Sequence, residues 1–248
     1  MLQDISAKRR RAGWLACVLV ATAVASAQTP PTEVILHDFG TSPPKGGQAN
    51  ALITDPSGNL YGTTRNGGIY GDGVLFKLDA SGRETALYTF TGGADGGTPY
   101  ANVTLDSAGN VYGTTSAGGT YNAGVVFVVN PSGQETVLYS FTGGLDGSEP
   151  ETGVVLDGSG NLYGTTRFGG TANAGVVYQL DSTGLETVLY SFTDAADGGY
   201  PSGIIRDPDG TLYGTASGGG TSGLHGRRGW QGSLRSHPRP DWQLIRNC

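Results

Sequence analysis

Apolar and polar residues alternate through most of this chain in short runs, and glycine-bearing turns separate the runs. The clearest run is GVVFVVN at 124–130, which puts Val125, Phe127 and Val129 on one face. The next is ETVLYSF at 135–141, whose alternation assigns Val137, Tyr139 and Phe141 to a common face. A period of two predicts strands. ANVTLD at 101–106 and NVYGTT at 110–115 add two more candidates. Between those two lies Ser107-Ala108-Gly109, and Asp106 opens the turn. Asp55, Asp157 and Asp207 open the matching turns elsewhere. An aspartate there accepts hydrogen bonds from the turn backbone, and glycine supplies the positive φ. A second turn, carrying Gly82, Gly133 or Gly184, joins the third and fourth strands as a hairpin.

These runs repeat. Tyr61, Tyr112, Tyr163 and Tyr213 each open a Tyr-Gly-Thr, at steps of 51, 51 and 50. Phe76, Phe127 and Tyr178 keep the same period, as do Phe39, Phe90, Phe141 and Phe192. Three landmarks on one period define a tandem repeat. One unit buries too little apolar surface to stand alone, so successive units must share a core. The predicted fold is therefore all-β: β-propeller-like tandem repeats of about 51 residues, with four short antiparallel strands per blade and about four incomplete blades. A β-solenoid is the alternative, but its coils are shorter and its strands parallel.

YGTT, the Gly-Gly stretch, GVVF and ETVLYSFTGG together resemble the GloVer tandem repeat over about residues 33–221. The resemblance implies an exported bacterial repeat protein of a family with variable C-terminal anchors. It brings no catalytic residues with it.

Composition agrees with strands and turns. The chain holds 44 glycines, and its 37% hydrophobic content and 12 tyrosines argue against disorder. At the start, Lys8 to Arg11 precede an apolar run from Ala12 to Val24, and Ala25-Ser26-Ala27 forms a cleavage pattern. Residues 1–27 thus read as a signal peptide, and the apolar run is too short for a membrane anchor. Cys17 lies inside that leader and is badly placed for a lipoprotein cysteine. Only Cys248 then remains, so an intrachain disulfide is not expected.

Residues 28–223 contain six basic and 19 acidic side chains, a net charge of −13. That excludes a phosphate-neutralising nucleic-acid face. The repeat domain is expected to span 28–222, with an irregular basic tail at 223–248. The last 25 residues hold five of the arginines and two of the three tryptophans. Leu224–Cys248 is compatible with codons that, read out of frame, spell FTGGVDGKVPYGVILDPTGNLFGTA, a further copy of the repeat's loop and first two strands. The expectation is a shifted reading of another blade, and the nucleotide sequence decides it.

Candidate chemistry is sparse. His37 is the single histidine of the repeat region and reads as a strand-end residue. No cysteine occurs in 28–223, so thiol and zinc chemistry have no residues to use there. Asp95, Asp146 and Asp197 occupy equivalent Asp-Gly loops and read as turn formers, with a calcium-binding ring as the alternative. Glu84, Glu135 and Glu186 start the fourth strands and read as solvated edge charges. Asn66-Gly67-Gly68, Ala117-Gly118-Gly119 and Phe168-Gly169-Gly170 read as flexible connections, because neither a helix nor a phosphate-loop lysine follows. Tyr100 and Tyr200 read as equivalent loop aromatics able to stack on sugar rings. No catalytic, metal or cofactor residue is assigned.

The functional expectation is an exported scaffold for binding or surface interaction, secreted or at the cell surface. Its partner would be an extracellular ligand or surface component, with no nucleic acid and no membrane span after cleavage. Open sheet edges would favour self-association. A propeller-type hydrolase or lactonase, or a structural spacer of a longer surface protein, are the alternatives.

Overall fold

The computed structural model describes residues 46–220 and, as backbone strands, 232–235 and 243–246. The expected leader, His37 and Phe39 lie outside the described residues. All regular structure among the described residues is strand, arranged in antiparallel sheets with one sheet per repeat.

The first sheet contains β1 (Gly46–Ala49), β2 (Ile53–Thr54), β3 (Leu60–Gly67), β4 (Val74–Leu78) and β5 (Glu84–Thr89). β3 pairs with β1, β2 and β4, and β4 pairs with β5. The second is β6 (Thr104–Leu105), β7 (Val111–Thr115), β8 (Val125–Val129) and β9 (Glu135–Ser140), paired in chain order. The third repeats that order with β10 (Val155–Leu156), β11 (Leu162–Thr166), β12 (Val176–Leu180) and β13 (Glu186–Ser191). The fourth begins with β14 (Gly199–Arg206) and β15 (Leu212–Gly218). It is completed by β16 (Gly232–Arg235) and β17 (Gln243–Arg246). The fold is thus the predicted one, all-β and β-propeller-like. Two details differ. The first strands of the second and third sheets are only two residues long. The stretch expected to be irregular supplies the last two strands of the fourth sheet.

The turns follow from local chemistry. Asp106 Oδ1 accepts hydrogen bonds from the backbone N–H groups of Ala108 and Asn110, each at 2.9 Å. Its Oδ2 accepts from Asn110 Nδ2 at 2.7 Å and from the Tyr112 hydroxyl at 3.2 Å. Asp55 and Asp157 have the same partners, Asn59 and Tyr61 for one, Asn161 and Tyr163 for the other. In the outer hairpins Asn130 replaces aspartate, and its Oδ1 accepts from the Ser132 and Gln134 amides.

Burial does not alternate along the third strands. Val125, Val126 and Phe127 are all fully buried, because both faces of the sheet are covered by neighbouring blades. The fourth strand also departs from simple alternation. Phe127 faces Val137 and Val126 faces Tyr139, with a register shift between them. Leu138 is the extra residue of a bulge, and it moves Val137 and Tyr139 to opposite faces. The same shift recurs at Leu75/Phe76 and Val177/Tyr178.

Three cores lie at the junctions between successive blades. The first joins Tyr61, Leu75 and Phe90 to Val103, Val111 and Phe127. The second joins Val126 and Phe141 to Val154, Leu162 and Tyr178. The third joins Tyr163, Val177 and Phe192 to Leu212 and Ile204. Phe90 meets Phe127 edge-on at 5.0 Å, and Phe141 meets Tyr178 at 5.1 Å. Each fully buried aromatic contributes roughly 1.5–3 kcal/mol, and an edge-on pair adds about 0.5–1.5 kcal/mol. Hydrogen bonds cross the same junctions: Thr63 Oγ1 donates to Ala101 O at 3.1 Å, and Thr114 Oγ1 to Thr152 O at 2.9 Å. Consecutive units therefore hold each other by burial, as the repeat requires.

Candidate binding groove

A groove of about 350 Å³ runs past the starts of the blades' first strands. Asn50, Tyr100, Asn102, Glu151, Thr152 and Ser202 line it. The short first strands make it possible. Because β6 and β10 pair over only two residues, the side chains just before them are not committed to a ladder. A turn delivers the chain to this place. Thr98, Glu149 and Tyr200 hold φ values of 53°, 51° and 55°, in each case just before a proline. Positive φ at three equivalent non-glycine residues is sparsely populated backbone, and the packed surroundings must hold it there.

The residues after those prolines differ from blade to blade. Tyr100, Glu151 and Ser202 share the position after the proline, and Asn102, Gly153 and Gly203 share another, two residues before Thr104, Val155 and Ile205. Between them, Ala101 and Thr152 hold a position that the fourth blade lacks, where β14 shifts register between Pro201 and Gly203. By contrast, Tyr-Gly-Thr is identical in all four repeats.

Two arginines at equivalent positions stand beside the groove residues. The Arg65 guanidinium lies 4.2 Å from the centre of the Tyr100 ring. Arg167 Nη1 donates to Glu151 Oε2 at 3.0 Å, and its guanidinium lies 5.2 Å from the Phe168 ring centre. The arrangement offers an aromatic face, an ion pair and amide or hydroxyl groups on one concave surface. Such a surface can hold a polar ligand through stacking and hydrogen bonds.

Of the candidates named from sequence, Tyr100 lines the groove and the others fall elsewhere. Asp146 Oδ2 accepts from the Tyr139 hydroxyl at 3.0 Å and the Thr142 amide at 2.7 Å, and its Oδ1 accepts from Thr142 Oγ1 at 2.5 Å. Asp95 and Asp197 have the same set of donors from Tyr88 and Thr91, and from Tyr190 and Thr193. Their oxygens already serve turn and strand donors, which is the turn reading. Burial and then the Asp95 hydrogen bond push the Tyr88 phenol well above its usual range. No group of three or more metal-ligating side chains occurs among the described residues.

Glu135 and Glu186 are not solvated edge charges. Each is about half buried, and Oε1 of each has no hydrogen-bond partner among the described residues. Burial, followed by the charge of Asp95 in one case and Asp146 in the other, raises both to about 7. The cause is the junction: each outer hairpin sits against the preceding blade, with Gly133 facing the Leu87 carbonyl.

The glycine-rich connections are not loose. Gly118 N donates to Asn122 Oδ1 at 3.0 Å, and Gly119 N reaches back to Gly93 O at 2.8 Å. Gly169 and Gly170 repeat this with Asn173 and Gly144. A Cβ on Gly118 would lie 2.6 Å from Gly96 Cα, so this contact admits only glycine. Tyr100 and Tyr200 are not equivalent. Tyr200 matches Thr98 and Glu149, and its ring lies edge-on to Phe168 at 5.7 Å. Only Tyr100 of the two lines the groove. Sequence reasoning passed over Asn50, Asn102, Glu151, Thr152 and Ser202. The signal that finds them is variation inside an otherwise repeated unit.

A β-propeller-like stack of four-stranded repeat sheets with a polar groove defines the structural class. The chain belongs to the Gloeobacter/Verrucomicrobia repeat family, whose model matches residues 23–226. Among solved structures, a catalytically inactive virginiamycin B lyase from Staphylococcus aureus with quinupristin is similar at TM-score 0.51 and 15% identity. That likeness covers 83% of this chain and 58% of the lyase, and it shows the fold alone. A gluconolactonase from Xanthomonas campestris is similar at TM-score 0.48 and 16% identity, over 73% of this chain and 58% of that one. This chain thus spans less than two thirds of the length of the structures it resembles. A search of curated proteins found no match.

Proposed function

We propose that the protein is an exported scaffold that binds an extracellular ligand in the groove beside Tyr100 and Glu151. The observation that carries this reading is the placement of variation. The Tyr-Gly-Thr strands and Asp turns repeat almost unchanged, whereas the position after each blade's proline, Tyr100, Glu151 or Ser202, differs from blade to blade and lines one concave surface. A constant frame presenting variable side chains is the layout of a recognition surface. The exposed Tyr100 ring and its polar neighbours suit a carbohydrate, which offers an apolar ring face edged by hydroxyls.

The test is an oligosaccharide array probed with the full chain, followed by titration of the best binder. Tyr100→Ala and Glu151→Ala are each expected to weaken binding at least about tenfold, a loss of about 1.4 kcal/mol. Both are expected to leave thermal stability within about 1 °C, because the side chains stand outside the junction cores. An array without signal, or equal binding by both variants, overturns the reading. Turnover of lactones or glycosides by the chain would replace it with the enzymatic alternative.

A further inference from the structure

The three internal junctions use one surface each time, and a fourth copy of that surface stands at the end of the series. On the second strand of each blade, a tyrosine and the threonine two residues later face the following blade. Thr63, Thr114 and Thr165 are at most 2% exposed. Tyr61 and Tyr163 are each 9% exposed, and Tyr61 packs with Val103 and Val111 of the next blade. Thr63 and Thr114 donate hydrogen bonds to carbonyls of the blade that follows. In the fourth blade the same positions are Tyr213 and Thr215. Tyr213 keeps the frame contact to Asp207 Oδ2, at 3.3 Å, and yet is 38% exposed. Thr215 is exposed, and Ile205 on the adjoining strand is 67% exposed. The surface is built like the other three, and its residues are more exposed than their counterparts Thr63, Thr165, Tyr61 and Tyr163.

We propose that this face of the fourth blade, formed by Ile205, Tyr213 and Thr215, is a docking surface for one more repeat unit joined in tandem. Continuity with the internal junctions defines the occupant. At each of them the covering blade presents an apolar residue two positions before the leucine or arginine that closes its first strand: Val103, Val154 or Ile204. The covering unit must therefore be a four-stranded sheet with a Val or Ile at that place.

The test compares the full chain with an extended chain in which residues 173–222 are duplicated in tandem after 222. The duplication gives the fourth blade repeat-type outer strands and places a further pair of inner strands against its face. In the extended chain, amide exchange over 203–216 is expected to slow at least about tenfold, and Tm to rise by several degrees. Ile205→Asp is expected to remove that gain in the extended chain and to leave the original chain's Tm within about 1 °C. Unchanged exchange on extension overturns the proposal. So does a Tm loss of more than about 3 °C for Ile205→Asp in the original chain, which would mean that the face is already covered. That arm holds even if the extended chain does not fold. An original chain that is a dimer, and becomes a monomer on Ile205→Asp, would make a second copy the occupant and also overturn it.

Discussion

At the scale of single residues, the frame depends on a few polar side chains that each do several things. Asp146 collects a tyrosine hydroxyl, a threonine hydroxyl and a backbone amide, and so ties the end of β9 to the loop that crosses to the next blade. Asp146→Ala is expected to cost about 1–3 kcal/mol, measured by urea unfolding, because all three donors lose an anionic acceptor. Tyr178 makes the opposite point. Its ring occupies the place held by Phe76 and Phe127, is fully buried, and its hydroxyl has no partner among the described residues. Tyr178→Phe is expected to stabilise the protein by about 1 kcal/mol or more, since an orphaned buried hydroxyl is removed without loss of packing. Gly175 shows what the backbone demands. It has a φ of 93°, and a Cβ would stand 2.4 Å from the Thr166 carbonyl oxygen. Gly175→Ala should therefore destabilise by well over 1 kcal/mol in the same measurement.

At the scale of strands and turns, much was legible in the sequence because the governing physics is local. An aspartate two and four residues ahead of the amides it caps, with glycine between, forms its turn whatever lies beyond it. What the sequence obscured depends on neighbours. The bulge at Leu138 leaves no mark in ETVLYSF, yet it moves Tyr139 to the other face. Glu135 reads as an ordinary strand-edge charge until the preceding blade is placed against it. The groove escaped notice because a repeat is found by its sameness, and Tyr100, Glu151 and Ser202 differ from blade to blade. Glu135 and Glu186 give this scale its prediction. Both are raised from 4.5 to about 7, so the stability they contribute is complete below 4.5 and is lost as pH rises through about 7. The turn aspartates Asp106, Asp157 and Asp197 are held below 3.8. Burial works against them there, and the hydrogen bonds they accept outweigh it. Their contribution is present above 3.8 and is lost on further acidification. Tm is therefore expected to decline from about pH 4.5 to pH 7 and then level off. Because both glutamates are half exposed, solvent screening keeps that slope shallow. The double variant Glu135→Gln, Glu186→Gln should flatten it.

At the scale of the whole molecule, stability is carried by junctions between neighbours. Phe127 sits in the core that joins the first two blades and meets Phe90 from the other side. Phe127→Ala is expected to cost about 3–5 kcal/mol. The more telling measurement is amide exchange, residue by residue. Protection should fall in both blades that share this core and less in the third, as expected when each unit is coupled chiefly to its immediate neighbours.

Placing the differing residues after Pro99, Pro150 and Pro201 separates two kinds of inheritance. A duplication that copies one unit adds a wall segment and its own letters to the groove without disturbing the frame. A point substitution at Tyr100, Glu151 or Ser202 rewrites a letter at almost no cost in folding. On the binding reading proposed above, new specificities arise in such a lineage by spelling, one module at a time, with the architecture left as it was.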